Sequence, residues 1–296
     1  MSVEEIKEVW LGIDFSGDHS MWRANRSSNV YIAEVCLQPQ GYSLSSLKTV
    51  QELPGQEEPF QKLVGLLKDK QFSAAAIDAP FSVPCEYLPC GGHKALIELV
   101  AGIERPQNRP FPAAQDFVCR ILSGRVLLSK KPLRETELAW RKEKVNVRST
   151  LWAGPRGGAA MTAACLTLLH QAKCPIWPWD QAGEPGLLVE AFPAAQLCHW
   201  GMKHEKYDGD GQERLTNRAK LVASLSELIE VPDDTLRKKM EQSADAFDAV
   251  LCAFAAIAVS ASRLAQSPVP SDEGQIAIHE RIEPKRGWRT EKSGAP

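Results

Sequence analysis

EVWLGIDFSGD, residues 8–18, is the stretch on which the reading of this chain turns. Val9 to Ile13 are apolar, too few for a helix, and drawn from the β-branched, aromatic and small types that suit a half-buried pleated strand. Glu8 to Asp14 therefore reads as a short strand, ended by Phe15-Ser16-Gly17-Asp18 with the small polar residues of a turn. A short buried strand that delivers a carboxylate at its end is unremarkable alone. It becomes informative when the pattern recurs.

It recurs twice. Phe72 to Asp78 (FSAAAID) reads as a second buried strand ending on an aspartate, and Ala79-Pro80 then breaks the element because proline lacks a donor and restricts its predecessor. Leu187 to Phe192 (LLVEAF) is strand-like, carries Glu190, and stops at Pro193. Between the first two, Val30 to Leu37 and Tyr42 to Val50 are β-rich around a Pro- and Gly-containing turn, so residues 8–50 are expected as a three-stranded meander. Phe60 to Lys70 has apolar residues at helical spacing. Helical patterns follow near Gly92 to Ile103, Ala113 to Leu122, Ala159 to Gln171, Ala194 to His199 and Arg214 to Ile229. The strongest is Ser243 to Leu264 (SADAFDAVLCAFAAIAVSASRL), whose Ala, Leu and Phe content marks a core helix. Gln275 to Ile282 is expected as a last edge strand, and the polar Glu283 to Pro296 as a flexible tail. No internal repeat is present.

The elements bearing these acids span the chain, so residues 1–282 are expected to form one α/β domain, with a large helical and irregular insertion at about 85–181. The chain has 296 residues, 44% of them hydrophobic and 24% charged, enough to bury a sizeable core. No apolar run approaches membrane-spanning length and the first residues carry no apolar signal core, so no membrane association and a cytoplasmic location are expected. Eight scattered cysteines without a C-x-x-C pair suit reduced thiols. Cys85, Cys90 and His93 offer three soft ligands in nine positions, but their spacing lies at the edge of zinc-site patterns, and loop thiols are the better reading. Nothing in the sequence addresses oligomeric state.

The candidate site is the set of carboxylates. Asp245 and Asp248, three residues apart, share one face of the last helix. Were the strands neighbours in one sheet, Asp14, Asp78 and Glu190 would converge near its first turn. Two unit charges 4 Å apart repel by about 4 kcal/mol at an effective dielectric near 20. Such a cluster requires raised pKa values or a cation, and hard oxygen ligands select Mg2+ or Mn2+. Plainer readings stand beside this one. Asp245 or Asp248 suits a helix cap, Asp78 suits a turn, and Glu190 suits a hydrogen-bond acceptor or salt-bridge partner.

Gly12-Ile13-Asp14, Ala76-Ile77-Asp78-Ala79-Pro80, Val189-Glu190-Ala191-Phe192-Pro193, Asp245-Ala-Phe-Asp248-Ala249 and Glu273-Gly274-Gln275-Ile276 resemble the successive motifs of a predicted-nuclease family, the domain of unknown function 429, grouped with the ribonuclease H-like fold. The resemblance runs from about residue 9 to 280. It implies a mixed five-stranded sheet flanked by helices and a divalent-metal-dependent nuclease. In that comparison Asp14, Asp78, Asp245 and Asp248 are catalytic, and with Glu190 they form the metal-ligand set. Asp245 and Asp248 also resemble the terminal-helix pair of Holliday-junction resolvases, while Asp78 stands where those carry a glutamate.

The formal charge, −2 from 35 Lys+Arg and 37 Asp+Glu, offers no global attraction to a polyanion. It is a sum of unlike parts, because residues 116–156 hold ten basic and four acidic side chains, a net +6. Arg120, Arg141, Lys142 and Arg148 from that segment, with Ser16 beside Asp14, are the candidate substrate-binding residues for a nucleic acid, and Trp140 and Trp152 could stack on bases. A solvated helix face of mixed charge is the competing reading. Two other functions fit the fold. Gly12 to Gly17 resembles the first phosphate turn of actin-like ATPases and sugar kinases, which makes an ATP-binding phosphotransferase the alternative, although Ala79-Pro80 lacks the glycines of the second turn. A noncatalytic protein of the same fold is the third.

Overall fold

The computed structural model describes residues 8–127, 129–182, 184–265 and 271–281. Five strands form one open mixed sheet: β1 (Val9–Asp14), β2 (Tyr31–Gln38), β3 (Gly41–Thr49), β4 (Ala74–Asp78) and β5 (Leu187–Glu190), in the spatial order β3-β2-β1-β4-β5. The first three make an antiparallel meander, whereas β4 and β5 lie parallel to β1 and to each other. This is a mixed five-stranded sheet flanked by helices, consistent with a ribonuclease H-like fold.

Nine α-helices lie among the described residues. They are α1 (Pro59–Lys68), α2 (Gly92–Ala101), α3 (Ala114–Leu122), α4 (Glu135–Lys142), α5 (Ala159–Ala172), α6 (Pro193–His199), α7 (Gln212–Leu225), α8 (Asp234–Gln242) and α9 (Ala244–Ser260). The chain between β4 and β5 carries α2 to α5. Gln275 to Ile282 does not form the expected edge strand: within 275–281 only an isolated antiparallel bridge, Leu264 with His279, is made. Residue 282 and the proposed tail at 283–296 lie outside the described residues. No single helix among them is long and apolar enough to cross a membrane.

Side chains alternate across a sheet, so each strand serves two cores. Leu11, Ile13, Ala75, Ile77 and Leu188 pack on one face with α1, α2, α3 and α5. Trp10, Ala74, Ala76, Leu187 and Val189 pack on the other with α7 and α9. The second face is lined with small residues at its centre, and α9 comes unusually close to it. A Cβ added at Gly12 would stand 2.0 Å from the Ala249 carbonyl oxygen and 2.3 Å from the Ala253 nitrogen. Only glycine fits there, and alanine on the helix completes the match. Ser243 starts α9 by accepting the Ala246 N–H at 3.1 Å, and near the other end the Trp10 indole donates to Ser260 Oγ at 2.6 Å. The helix therefore runs antiparallel to β1, with its first turn beside the C-terminal ends of the strands.

Candidate functional site

Parallel pairing sets Asp14 opposite Asp78, each the last residue of its strand. Both are in step with Gly12 and Ala76, so both face α9. Asp248 on the first turns of α9 closes the group. One carboxylate oxygen from each of Asp14, Asp78 and Asp248 lies within 4.8 Å of the others. Asp14 is buried, while Asp78 and Asp248 keep partial access to solvent.

The electrostatics follow from burial and mutual repulsion. Asp14 is held well above the ordinary carboxylate range by burial first, then by Asp245, Asp78 and Asp248. Asp78 is pushed up to about 7, burial again leading, with Arg148 opposing the rise and Glu190 and Asp245 adding to it. Asp248 is raised well above its usual value by burial and Asp78, although Tyr207 opposes this by donating its hydroxyl to Oδ1 at 2.9 Å. Asp245 is raised by burial, with Arg218 opposing. Asp245 thus adds charge near the cluster without being among the three that meet. The helix-cap reading fails for both aspartates, because Ser243 caps α9.

Glu190 does not join. It pairs with Ile77, one residue before Asp78, and the alternation of the strand sends it to the opposite face. There the Arg134 guanidinium binds both its oxygens, and the Phe81 N–H donates to Oε2 at 2.9 Å. Arg134 also reaches Glu137 at 2.7 Å, and all three side chains are buried. Expected as a metal ligand or an ion-pair partner, Glu190 is the second. Its network ties the start of α4 to β5.

Other expected residues are placed as follows. Ser16 Oγ accepts the Asp18 N–H at 3.1 Å and so closes its own turn. Arg120 is exposed in the last turn of α3, and Arg141 and Lys142 in that of α4. Arg148 is exposed, and its charge acts on Asp78. Trp140 is buried and cannot stack on a ligand, whereas Trp152 is half-buried. The Cys85, Cys90 and His93 combination does not assemble. The His93 Nε2 meets the Phe81 carbonyl at 2.8 Å and its ring stacks on Trp179 at 3.4 Å, while Cys85 and Cys90 are exposed. At residues 79–81, directly after β4, the backbone donors are taken: Ala79 N–H goes to Ile77 O, residue 80 is proline, and Phe81 N–H goes to Glu190.

Two residues that act on the cluster had no signal in the sequence. Tyr207 is a single aromatic in the polar loop Lys206-Tyr207-Asp208-Gly209-Asp210. Arg218 lies on α7, fully buried, and donates to the carbonyls of Tyr207, Gly209, Glu241 and Gln242, which holds that loop against the entry to α9.

Fold and site define an α/β protein with an acidic cluster at the strand ends that could hold a metal ion. The chain belongs to the family described as protein of unknown function (DUF429), whose model matches residues 58–273. No curated protein and no solved structure matches it.

Proposed function

We propose that the chain is a divalent-metal-dependent phosphodiesterase of the nuclease type, using Mg2+ or Mn2+ held by Asp14, Asp78 and Asp248. The observation that carries this reading is the meeting of three carboxylates within 4.8 Å, all with raised pKa values and none held by a basic side chain in hydrogen-bond contact among the described residues. A cation relieves that repulsion, and an all-oxygen donor set suits a hard ion. When bound, a divalent ion acidifies water and offsets the charge that develops on a phosphate undergoing displacement.

The chain's own groups have distinct tasks in this scheme. Asp14 and Asp78 present their carboxylates side by side from one sheet edge, and Asp248 brings the third from α9. Tyr207 holds one Asp248 oxygen and so orients the other. Asp245 adds negative potential that favours cation entry. Arg148 supplies positive charge next to Asp78, where a phosphate oxygen needs it. The phosphotransferase alternative is disfavoured by residues 79–81 after β4, where proline and two backbone N–H groups already in use replace a glycine-rich phosphate cradle.

The test is cleavage of labelled DNA and RNA by the purified protein with Mn2+ or Mg2+, beside Asp14→Asn. Metal-dependent cleavage that is lost in the variant, with an unchanged circular dichroism spectrum, is the expected result. Undiminished cleavage by Asp14→Asn overturns the assignment.

A further inference from the structure

A second feature lies on the chain that leads away from Arg148. Ser149 Oγ and Thr150 Oγ1 are buried and have no hydrogen-bond partner among the described residues. Trp152 follows, laid against the backbone of its own turn: a Cβ at Gly154 would stand 2.5 Å from its Cζ2, and its Nε1 donates to the Pro155 carbonyl at 3.3 Å. The turn closes where the Gly158 N–H donates to Ser149 O at 2.9 Å, just before α5. The start of α5 abuts Gly17, three residues beyond Asp14, where an added Cβ would meet Met161 N at 2.4 Å. Both ends of this loop are therefore anchored beside the strand ends that carry the carboxylates.

Two ammonium groups approach the Trp152 ring, Lys130 Nζ at 5.7 Å and Lys131 Nζ at 5.4 Å from its centroid. Both lysines are exposed, and neither has a carboxylate partner among the described residues. Cation–π attraction explains why each lies near the ring, and it leaves two positive charges beside one indole with no carboxylate paired to either among the described residues. Unpaired ammonium groups attract anions, and an aromatic ring beside them matches the two parts of a nucleotide: base on ring, phosphate on ammonium.

We propose that Trp152 with Lys130 and Lys131 is the contact for single-stranded nucleic acid, a base resting on the indole and the adjoining phosphates on the two lysines. The proposal rests on reading the carboxylates as a phosphodiester-cleaving centre and names its substrate class. A duplex keeps its bases stacked inside and cannot present one to Trp152, whereas an unpaired strand can. Stacking is tolerant of sequence because every base has a π face, so recognition follows strandedness and charge.

Binding is measured without catalysis, as fluorescence anisotropy of a labelled 15-nucleotide single strand and of a hairpin duplex, in EDTA. The protein is expected to bind the single strand more tightly than the duplex. Trp152→Ala weakens single-strand binding roughly 5- to 150-fold. Because that substitution disturbs a packed turn, Lys130→Gln with Lys131→Gln serves as the second variant; both positions are exposed, and the pair lowers the slope of log affinity against log salt by about 1.4. Equal binding of the two forms, no binding, or unchanged affinity and salt slope in the variants overturns the proposal. Unsubstituted protein that binds the single strand in this way but shows no cleavage with Mn2+ or Mg2+ counts against the nuclease assignment and leaves this contact standing.

Discussion

Asp78→Asn provides the sharpest test of the carboxylate cluster, because its effect on stability has a sign opposite to that of most buried substitutions. In the unfolded chain Asp78 ionises near pH 4, and in the folded one burial moves its pKa to about 7. Below pH 4 the carboxyl is protonated in both states and imposes no penalty. Between pH 4 and 7 the unfolded state gives up its proton while the folded state keeps it, so stability falls. Above pH 7 the loss is complete, and a shift of roughly 3 units corresponds to about 4 kcal/mol. Asparagine preserves the shape and removes the charge. In EDTA at pH 8 the variant should therefore be more stable than the parent by up to about 4 kcal/mol, a rise in Tm on the order of 10 °C. At pH 4.5 the two should nearly coincide. Saturating Mn2+ reverses the order, since it stabilises the parent through its site and does little for the variant. Thermal melts by circular dichroism at both pH values, with and without Mn2+, read all of this. A variant that melts at or below the parent at pH 8 in EDTA, or one whose shift is the same at pH 4.5, refutes the claim that burial in this site penalises the ionised Asp78 carboxylate.

Other perturbations separate the site from its scaffold. Arg134→Met leaves Glu137 and Glu190 buried without their cation and should cost about 3–5 kcal/mol in urea melts, part of which Glu190→Gln restores. An unchanged midpoint would mean that the network does not hold α4 to β5. Tyr207→Phe removes the hydroxyl from Asp248 and should weaken Mn2+ binding by about 10-fold in a calorimetric titration, with Tm nearly unchanged. Equal affinity would show that Asp248 orients itself.

The elements that were readable in the sequence are those with a local signal. Buried strands announce themselves by short apolar runs, and the expected Glu8 to Asp14 and Phe72 to Asp78 differ from β1 and β4 only at their first residues. The core helix α9 is equally plain, being Ala-rich and buried along most of its length. Helices α4 and α8 were not readable because they bury little: Glu137 and Trp140 in one, Met240 in the other. Their starts carry only capping signals, as where Asp233 accepts the Thr235 N–H. The aspartates that meet were nameable because each ends an apolar run or opens the core helix. Glu190 was not separable from them, since its facing depends on the register of β5 against β4, and register is a property of two strands. Tyr207 reaches Asp248 across 41 positions, from a loop with no periodicity.

The close approach of α9 to β1 is what converts strand-end aspartates into a cluster. Two acids on neighbouring strands would diverge into solvent; the third has to be carried to them by a helix lying almost on the sheet. Gly12 controls that distance, since backbone atoms of Ala249 and Ala253 occupy the space of its missing side chain. Gly12→Ala forces helix and strand apart by on the order of 1 Å and should destabilise the protein by about 1–3 kcal/mol or more. The same displacement carries Asp248 away from Asp14 and Asp78, so Mn2+ affinity should fall with stability, although no ligand has been touched. Gly65→Ala is the control. It lies in α1 with nothing within 4 Å of the added carbon, and a helical alanine there should leave Mn2+ affinity unchanged and add up to about 1 kcal/mol. If Gly12→Ala binds Mn2+ as tightly as the parent, the three carboxylates do not depend on the seating of α9, and the coupling between core packing and site geometry is wrong.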